Sequence, residues 1–282
     1  MTDITTSSMI EHGGAVASLP TRLRNLGGGR AAGWIMPILI LILWQLTSSS
    51  GWLSQNVLPS PLGVLGTFWK LTLSGELALN IGVSFLRAAA GFLVGGGIGF
   101  ALGLANGLSK TSETLTDSTL QMVRNIPHLA LIPLVILWFG IDEQAKLVLV
   151  ALGVFFPVYI NTLHGVRTVD PHLIEMGRSY GMSNAVLFRR VILPGALPSI
   201  FVGVRFALGV MWLTLIVAET IAAQSGLGYM AMQAREFMQT DVVVLAILIY
   251  ALLGKIADSA ARLLERRFLR WNPVFQTNGS HK

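Results

Sequence analysis

Cysteine is absent from the 282 residues, and charged residues are scarce. The lack of cysteine excludes a disulfide framework, a cysteine nucleophile and a cysteine metal site. Only 12% of the residues are charged, whereas an ordinary soluble domain carries about 25%. Hydrophobic residues make up 53%, and the mean hydropathy is +0.65. Because this number of charged residues is too small to cover the surface of a soluble globular protein, the composition indicates a membrane protein.

The sequence contains several long apolar stretches that could cross a membrane. Because one membrane crossing takes about 20 residues, six crossings leave no room for a large soluble domain. The sequence predicts an all-α integral membrane protein with about six transmembrane helices, in a membrane domain over residues 31–263 between polar tails at 1–30 and 264–282. The six stretches are Ala31–Thr47, Ser84–Gly107, Leu120–Gly140, Lys146–Leu163, Leu197–Ala222 and Val242–Leu263.

Basic residues are distributed unevenly between the two sides of this arrangement. With the N-terminus inside, the inner segments hold thirteen of the twenty Lys and Arg residues, and the outer loops hold only Lys70, Lys146 and Arg235. Cytoplasmic loops carry an excess of Lys and Arg, so both termini are predicted to be cytoplasmic. This orientation accounts for the net charge of +6 without a nucleic-acid partner.

Glycines recur every four residues in the second stretch, at Gly91, Gly95, Gly99, Gly103 and Gly107. This spacing places them on one helix face, where small residues let two backbones approach closely. Tight packing is the more economical interpretation, and a helix that slides against its neighbour is the functional alternative.

Sequence signatures of catalysis and nucleotide binding are missing. The stretch Gly103–Thr111 ends in Lys-Thr, but Ser109 stands where a phosphate-binding loop needs the glycine before its lysine. The five histidines show no spacing typical of metal ligands, and no paired carboxylates or Ser-His-Asp set stands out. We therefore expect no enzyme activity, no metal and no cofactor in this chain.

The longest inner loop, residues 161–197, predicts two short capped helices. Asp170 can cap the first helix, Pro171 fits its first turn, and Gly181 can end it in a left-handed conformation. Ser183 can cap the second helix, and Pro194 is expected to stop it. Such a helical hairpin could lie on the membrane surface or dock on another protein.

The residues of this loop carry a family resemblance. The pattern Glu175-Met176-Gly177-x3-Gly181-x9-Val191-x-Leu193-Pro194 resembles the EAA loop of ABC importer permeases, EAA-x3-G-x9-I-x-LP. The spacing agrees throughout, although Met176 and Gly177 replace two alanines and Val191 replaces isoleucine. The resemblance implies that this loop fits a groove on a separate ATPase and transmits its motion, with Glu175, Gly177, Gly181, Leu193 and Pro194 as coupling residues.

The resemblance extends over most of the chain and is strongest to the nitrate, sulfonate and taurine branch, especially aliphatic sulfonate permeases. It implies a type I ABC importer fold in the bacterial inner membrane and a permease homodimer. It also implies a periplasmic solute-binding protein, with ATP and Mg²⁺ on the partner ATPase. Taurine, nitrate or another small solute stays open as cargo. The segments that carry it are Leu58–Pro61, Arg124–Pro127 with Trp138–Gly140, Ala234–Val244, Tyr250–Lys255 and Leu263–Pro273.

Charged residues inside the apolar stretches are costly unless they are paired or hydrated. Lys255 and Asp258 are three residues apart and can pair. Arg124 and His128 are one helical turn apart beside Pro127, so they are candidates for lining an anion path. The alternative is that Arg124 lies at the membrane interface near the inner lipid headgroups. A secondary transporter would predict an inverted repeat, and a membrane enzyme a polar catalytic cluster; neither is evident.

Overall fold

The computed structural model describes residues 32–50, 54 and 57–271, and the secondary structure there is helical. The tail 1–30 and residues 272–282 of the C-terminal tail lie outside the described residues. Four helices have a proline in their first turn: α2 (Pro61), α5 (Pro133), α7 (Pro171) and α9 (Pro194). The helices are α1 (Ala32–Ser49), α2 (Pro61–Leu73), α3 (Glu76–Leu108), α4 (Lys110–Arg124), α5 (Ile132–Phe139), α6 (Glu143–Arg167), α7 (Pro171–Ser179), α8 (Asn184–Leu187), α9 (Leu193–Ala222), α10 (Leu227–Glu236) and α11 (Thr240–Phe268).

The predicted all-α class is confirmed, and the described residues of five of the six apolar stretches lie within helices; the third stretch is interrupted. Within the described part of the chain, four helical segments have the length and composition to cross a membrane, and a bent pair makes a fifth if it counts as one span. The 18-residue α1 is apolar but shorter than these. The four segments are Glu76–Leu108, Glu143–Arg167, Asn184–Ala222 and Thr240–Phe268.

The third predicted stretch is broken rather than continuous. Helix α4 ends at Arg124, a 3₁₀ turn covers His128–Leu131, and α5 begins at Ile132; the two halves meet at 81°. Pro127 and Pro133 account for the break, because proline lacks the N–H that a continuing helix needs and disfavours helical backbone in the residue before it.

The second helix of the loop also differs from its prediction. Pro194 does not stop it, because α8 passes through a π-helical turn (Phe188–Ile192) directly into α9, giving one helical run of 39 residues. Pro194 lies in the first turn of α9, at the point where the hydrogen-bond register changes, and a first-turn proline is tolerated there.

The core lies between α3, α6 and α9, with α10 and α11 packed along one side. Its centre is formed by residues with no or almost no exposed surface, among them Val150, Val154, Ala207, Leu215 and Ala246. Small side chains bring these helices close together, as expected where the surrounding lipid is as apolar as the interior. Helices α2 and α10 were not anticipated, because both are too short to read as membrane spans.

Candidate coupling loop and transport path

The two caps of α7 have the geometry that the sequence predicts. The Asp170 carboxylate accepts a hydrogen bond from the His172 N–H at 2.9 Å, and Pro171 occupies the first helical position. Gly181 has a φ of +74°, the left-handed conformation that favours glycine after a helix end. Ser183 precedes α8, but its side chain makes no capping hydrogen bond. The α7 end of the hairpin is therefore fixed by the Asp170 side chain and by the left-handed backbone at Gly181.

The inner face of α7 requires a small residue at position 177. Gly177 is buried, and an added Cβ would lie 2.7 Å from the Leu187 Cδ1 atom of α8. Leu187 is buried as well, so these two residues join the hairpin. A larger side chain at position 177 would displace Leu187, so glycine suits this contact.

The outer face of α7 is open. Leu173, Met176 and Tyr180 are exposed, Tyr180 at 79%. Glu175 is also exposed, and its carboxylate has no ion-pair partner among the residues that the structure describes. An apolar patch with a free carboxylate is suited to docking against a protein surface, where apolar area gives affinity and charge gives register.

A groove of about 520 Å³ lies beside this face, and the segment that follows α11 reaches it through Trp271. Leu193 lies next to the groove in sequence, at the first position of α9. Trp271 lines the groove although it is distant in sequence, and it is half exposed. No local pattern could have linked this tryptophan to the loop. The remaining lining includes Met176, Tyr180, Met182, Arg190, Val191 and Pro194.

The glycine stripe of α3 lies directly against α6. An added Cβ at Gly91 would lie 2.5 Å from Val150 Cγ1, and one at Gly95 would lie 2.6 Å from the Ala151 Cα atom. The same holds at Gly99, against the Phe155 carbonyl oxygen at 2.5 Å. Gly103 and Gly107 continue the contact along Tyr159, Thr162 and Val166. Helices α3 and α6 are thus in close contact along about four turns.

The structure separates Arg124 from His128. Arg124 is exposed in the last turn of α4, whereas His128 begins the 3₁₀ turn beyond the break. The expected spacing of one helical turn is therefore wrong, because no continuous helix joins them. His128 is half-buried, and its Nε2 atom lies 3.0 Å from Thr214 Oγ1 of α9, next to Gly153. Arg124 has no ion-pair partner in the described ranges.

Near the start of α6, the buried side chains of Arg87 and Glu219 form an ionic cluster with Glu143. The Glu219 carboxylate, 1% exposed, accepts hydrogen bonds from Arg87 Nη1 at 2.8 Å and from Tyr250 Oη at 2.8 Å. It also accepts from Ser84 Oγ at 2.8 Å and from the Gly228 N–H at 2.9 Å. Arg87 donates from Nε and Nη2 to Glu143, at 2.5 Å each.

This cluster, hereafter the Arg87–Glu219 cluster, joins α3, α6, α9, α10 and α11. Arg87 also donates to the Ser225 carbonyl at 2.6 Å, and Ser84 Oγ accepts from the Leu227 N–H at 2.9 Å. The turn between α9 and α10 is therefore held by side chains of α3. Each charge is paired and hydrogen-bonded, which is the condition for ions buried within a membrane protein.

A second group of charged residues, where α9 packs against the C-terminal half of α11, does not form the pair that the sequence predicts. Asp258 accepts from Arg205 Nε at 3.1 Å and pairs with Arg262 Nη2 at 2.7 Å, rather than with Lys255. Arg205 also reaches Glu265 at 3.5 Å. The expected Lys255–Asp258 pair is wrong, because Arg262 and Arg205 of α9 both contact the Asp258 carboxylate instead.

These features define a class: a multi-pass membrane protein whose helices pack through small residues, with an exposed helical hairpin outside them. The chain belongs to the family of binding-protein-dependent transport system inner membrane components, whose profile matches residues 95–270. It is accordingly a membrane-spanning importer permease that works with an ABC ATPase. ATP hydrolysis takes place on that separate subunit.

Named relatives agree with this family. The chain is 64% identical to the Escherichia coli (strain K12) protein named as an aliphatic sulfonates transport permease, SsuC, over 87% of this chain and 94% of that protein. It is 46% identical to the protein of the same name in Bacillus subtilis (strain 168), over 93% and 98%. Identity to the taurine transport system permease TauC of Escherichia coli (strain K12) is 37%, over 84% and 88%.

Solved structures share the fold. A chain of an amino acid ABC transporter aligns with a TM-score of 0.56 at 20% identity, covering 72% of this chain and 96% of that chain. A chain of the MetNI methionine ABC transporter in an inward-facing conformation aligns with a TM-score of 0.51 at 19% identity, covering 72% and 98%. The type I importer permease fold is thereby confirmed.

Proposed function

We propose that this permease translocates aliphatic sulfonates across the inner membrane. The observation that supports it is the order of identity among relatives: two proteins named for aliphatic sulfonates match at 64% and 46%, and a taurine permease at 37%. Taurine is itself a small sulfonate, so the anionic headgroup is common to both cargoes. Nitrate and other small solutes are the competing candidates.

Uptake into proteoliposomes tests the cargo. The permease, its ATPase and the solute-binding protein are reconstituted together and supplied with ethanesulfonate, taurine and nitrate in parallel. We expect ATP-dependent accumulation of ethanesulfonate at the highest rate. Faster accumulation of taurine or nitrate would reassign the cargo, and accumulation without ATP would contradict the importer mechanism.

The proposed assembly contains two permease copies, two ATPase subunits and a periplasmic binding protein. Supporting a second copy, α4 has no buried residue and α5 exposes Leu137 and Trp138, so both helices leave surfaces free. Native mass spectrometry of the purified complex should give a two-to-two stoichiometry of permease and ATPase. A complex with one permease would contradict the homodimer.

The proposed orientation places residues 1–30, the coupling loop 161–197 and residues 264–282 in the cytoplasm, with the membrane domain 31–263 between the tails. Because the chain has no native cysteine, single cysteines report sidedness without background. A membrane-impermeant maleimide added to spheroplasts should label Ser74→Cys but not Ser183→Cys. The reverse pattern would invert the topology.

The coupling role is proposed for Glu175, Gly177, Gly181, Leu193 and Pro194. We expect Glu175→Ala to lower ATPase co-purification and ATP-dependent uptake at least tenfold, because losing one partner of a docked charge pair costs about 2–5 kcal/mol. Permease yield should not change, since the Glu175 side chain is exposed. Co-purification and uptake are both measured.

Glu236→Ala is the matched control for this substitution. Glu236 is an exposed carboxylate at the end of α10, and it has no ion-pair partner among the described residues. This variant should keep both ATPase association and uptake. Wild-type behaviour of Glu175→Ala would rule out the coupling role of that residue.

Arg124 is proposed to line the anion path, with His128 near the break behind it. We expect Arg124→Ala to raise the KM for sulfonate roughly tenfold, because a charge-assisted hydrogen bond contributes about 1.5–3 kcal/mol. Uptake is measured over a range of binding-protein concentrations loaded with sulfonate. Lys110→Ala, at the other end of the same exposed helix, should leave KM unchanged. An unchanged rate and substrate range in Arg124→Ala would remove Arg124 from the path.

A further inference from the structure

A small basic cleft lies on α11, away from the coupling groove and from the candidate path. It has a volume of about 290 Å³ and is lined by Lys255, Ser259, Arg262, Leu263 and Arg266. The intervals of four, three, one and three residues place all five on one helix face. Nothing in the proposed transport function requires this cleft.

The cleft has a surplus of positive charge. Three of its five side chains are cationic, and no carboxylate lines it. Arg262 is partly neutralised, because it shares Asp258 with Arg205 of α9. Lys255 and Arg266 have no carboxylate within ion-pair distance in the part of the chain that the structure describes. Two unpaired cations and one hydroxyl therefore converge on the same space.

The same face continues as an exposed apolar strip. Leu248 and Leu252 precede Lys255 by about two turns and one turn, and Ile256 follows Lys255 directly; each of the three is about half exposed. From Leu248 to Lys255 the helix rises about 10 Å, which fits within one leaflet of a hydrocarbon core about 30 Å thick. The strip is thus level with acyl chains when the cleft is level with headgroups.

We propose that this cleft binds the headgroup of one anionic phospholipid. The phosphate oxygens accept hydrogen bonds from Lys255, Arg262 and Arg266 and from the Ser259 hydroxyl, and the acyl chains lie on Leu248, Leu252 and Ile256. A basic pocket at the membrane surface is the known physical requirement for such a site. The apolar strip favours a lipid over a free phosphate ion, which would gain nothing from it.

Lipid retention by the full-length permease tests the proposal. The protein is reconstituted in nanodiscs with equal amounts of phosphatidylglycerol and phosphatidylcholine, and lipids that remain bound are counted by native mass spectrometry. We expect selective retention of one phosphatidylglycerol. The double variant Lys255→Gln/Arg266→Gln should lose it, with affinity falling about fivefold for each cation removed. This variant keeps the Arg262–Asp258 pair, so the fold is not disturbed.

The control double variant is Lys110→Gln/Arg267→Gln, which removes the same charge. Arg267 is exposed on α11 but outside the cleft, and Lys110 is exposed at the start of α4. This control should retain phosphatidylglycerol. An equal loss in both double variants, or equal retention of the two lipids by the wild type, would overturn the proposal.

A titration with inorganic phosphate distinguishes a lipid headgroup from a free phosphate ion as the ligand of the cleft. It is titrated against the phosphatidylglycerol-bound permease and against the permease in phosphatidylcholine alone. Failure of millimolar phosphate to displace the lipid supports a lipid site. Displacement of the lipid, together with phosphate binding in the absence of phosphatidylglycerol, would make the cleft an anion site instead and overturn the lipid assignment.

Discussion

Gly95→Ala is expected to prevent the close approach of α3 and α6 and to abolish most of the folded permease. The new Cβ would lie 2.6 Å from the Ala151 Cα atom and 2.7 Å from its carbonyl carbon. Both are backbone atoms, so no side chain can rotate away and the helices must separate. Overpacking of a filled interior typically costs about 1–3 kcal/mol, and a backbone obstacle places this site at the upper end or beyond.

The control for this substitution is Gly97→Ala, two residues further along the same helix. An added Cβ at Gly97 meets no atom within 4 Å, so alanine there only improves helix propensity. Thermal unfolding in detergent, followed by size-exclusion fluorescence, should show a strongly lowered Tm for Gly95→Ala and an unchanged or higher Tm for Gly97→Ala. Equal Tm values for the two variants would contradict the close backbone contact.

Glu219→Ala is expected to lower stability by about 3–5 kcal/mol, the usual cost of leaving a buried charge without its partner. The substitution removes the shared acceptor of Ser84, Arg87, Tyr250 and the Gly228 N–H. The Arg87 guanidinium would keep Glu143 but lose its buried counter-ion. Unfolding midpoints of the purified permease measure the effect.

Two graded controls separate this effect from simple loss of a contact. Tyr250→Phe removes one hydrogen bond to Glu219 and should cost about 1 kcal/mol. Glu113→Ala removes a more exposed ion pair with Arg167 and should cost about 1 kcal/mol or less. If Glu219→Ala proved no more harmful than Glu113→Ala, the cluster would not be a stability determinant.

Local features were predictable from the sequence because their causes are local. The caps of α7 at Asp170 and Gly181 follow from residues a few positions apart, and the glycine stripe follows from a four-residue interval. The stripe predicted a close contact but not its partner. That partner, α6, depends on how the whole chain folds.

Features that depend on tertiary contacts could not be predicted. Arg87 and Glu219 are 132 residues apart, and no pattern in either segment indicates the other. Asp258 had a plausible partner three residues away, yet Arg205 from another helix pairs with it. Trp271 reaches the coupling groove for the same reason.

The break at Asn125–Pro127 shows a different limit. Pro127 and Pro133 favour a bend in this stretch, but neither the angle of 81° nor the 3₁₀ turn at His128–Leu131 can be read from the sequence. Proline weakens a helix at a known place, and the surrounding helices decide whether the chain bends or turns a corner. Arg124 and His128 were therefore paired on a helix that does not continue between them.

The unbroken run from Asn184 to Ala222 has a mechanical consequence. At 1.5 Å per residue, its 39 residues extend about 58 Å, so a tilt of 5° about the end near the coupling hairpin would displace the far end by about 5 Å. That far end is tied through Glu219 to α3, α10 and α11. A small rotation at the Asn184 end would thus become a movement of several ångströms at the Ala222 end. The π-helical turn at Phe188–Ile192 would be the compliant point near the fulcrum.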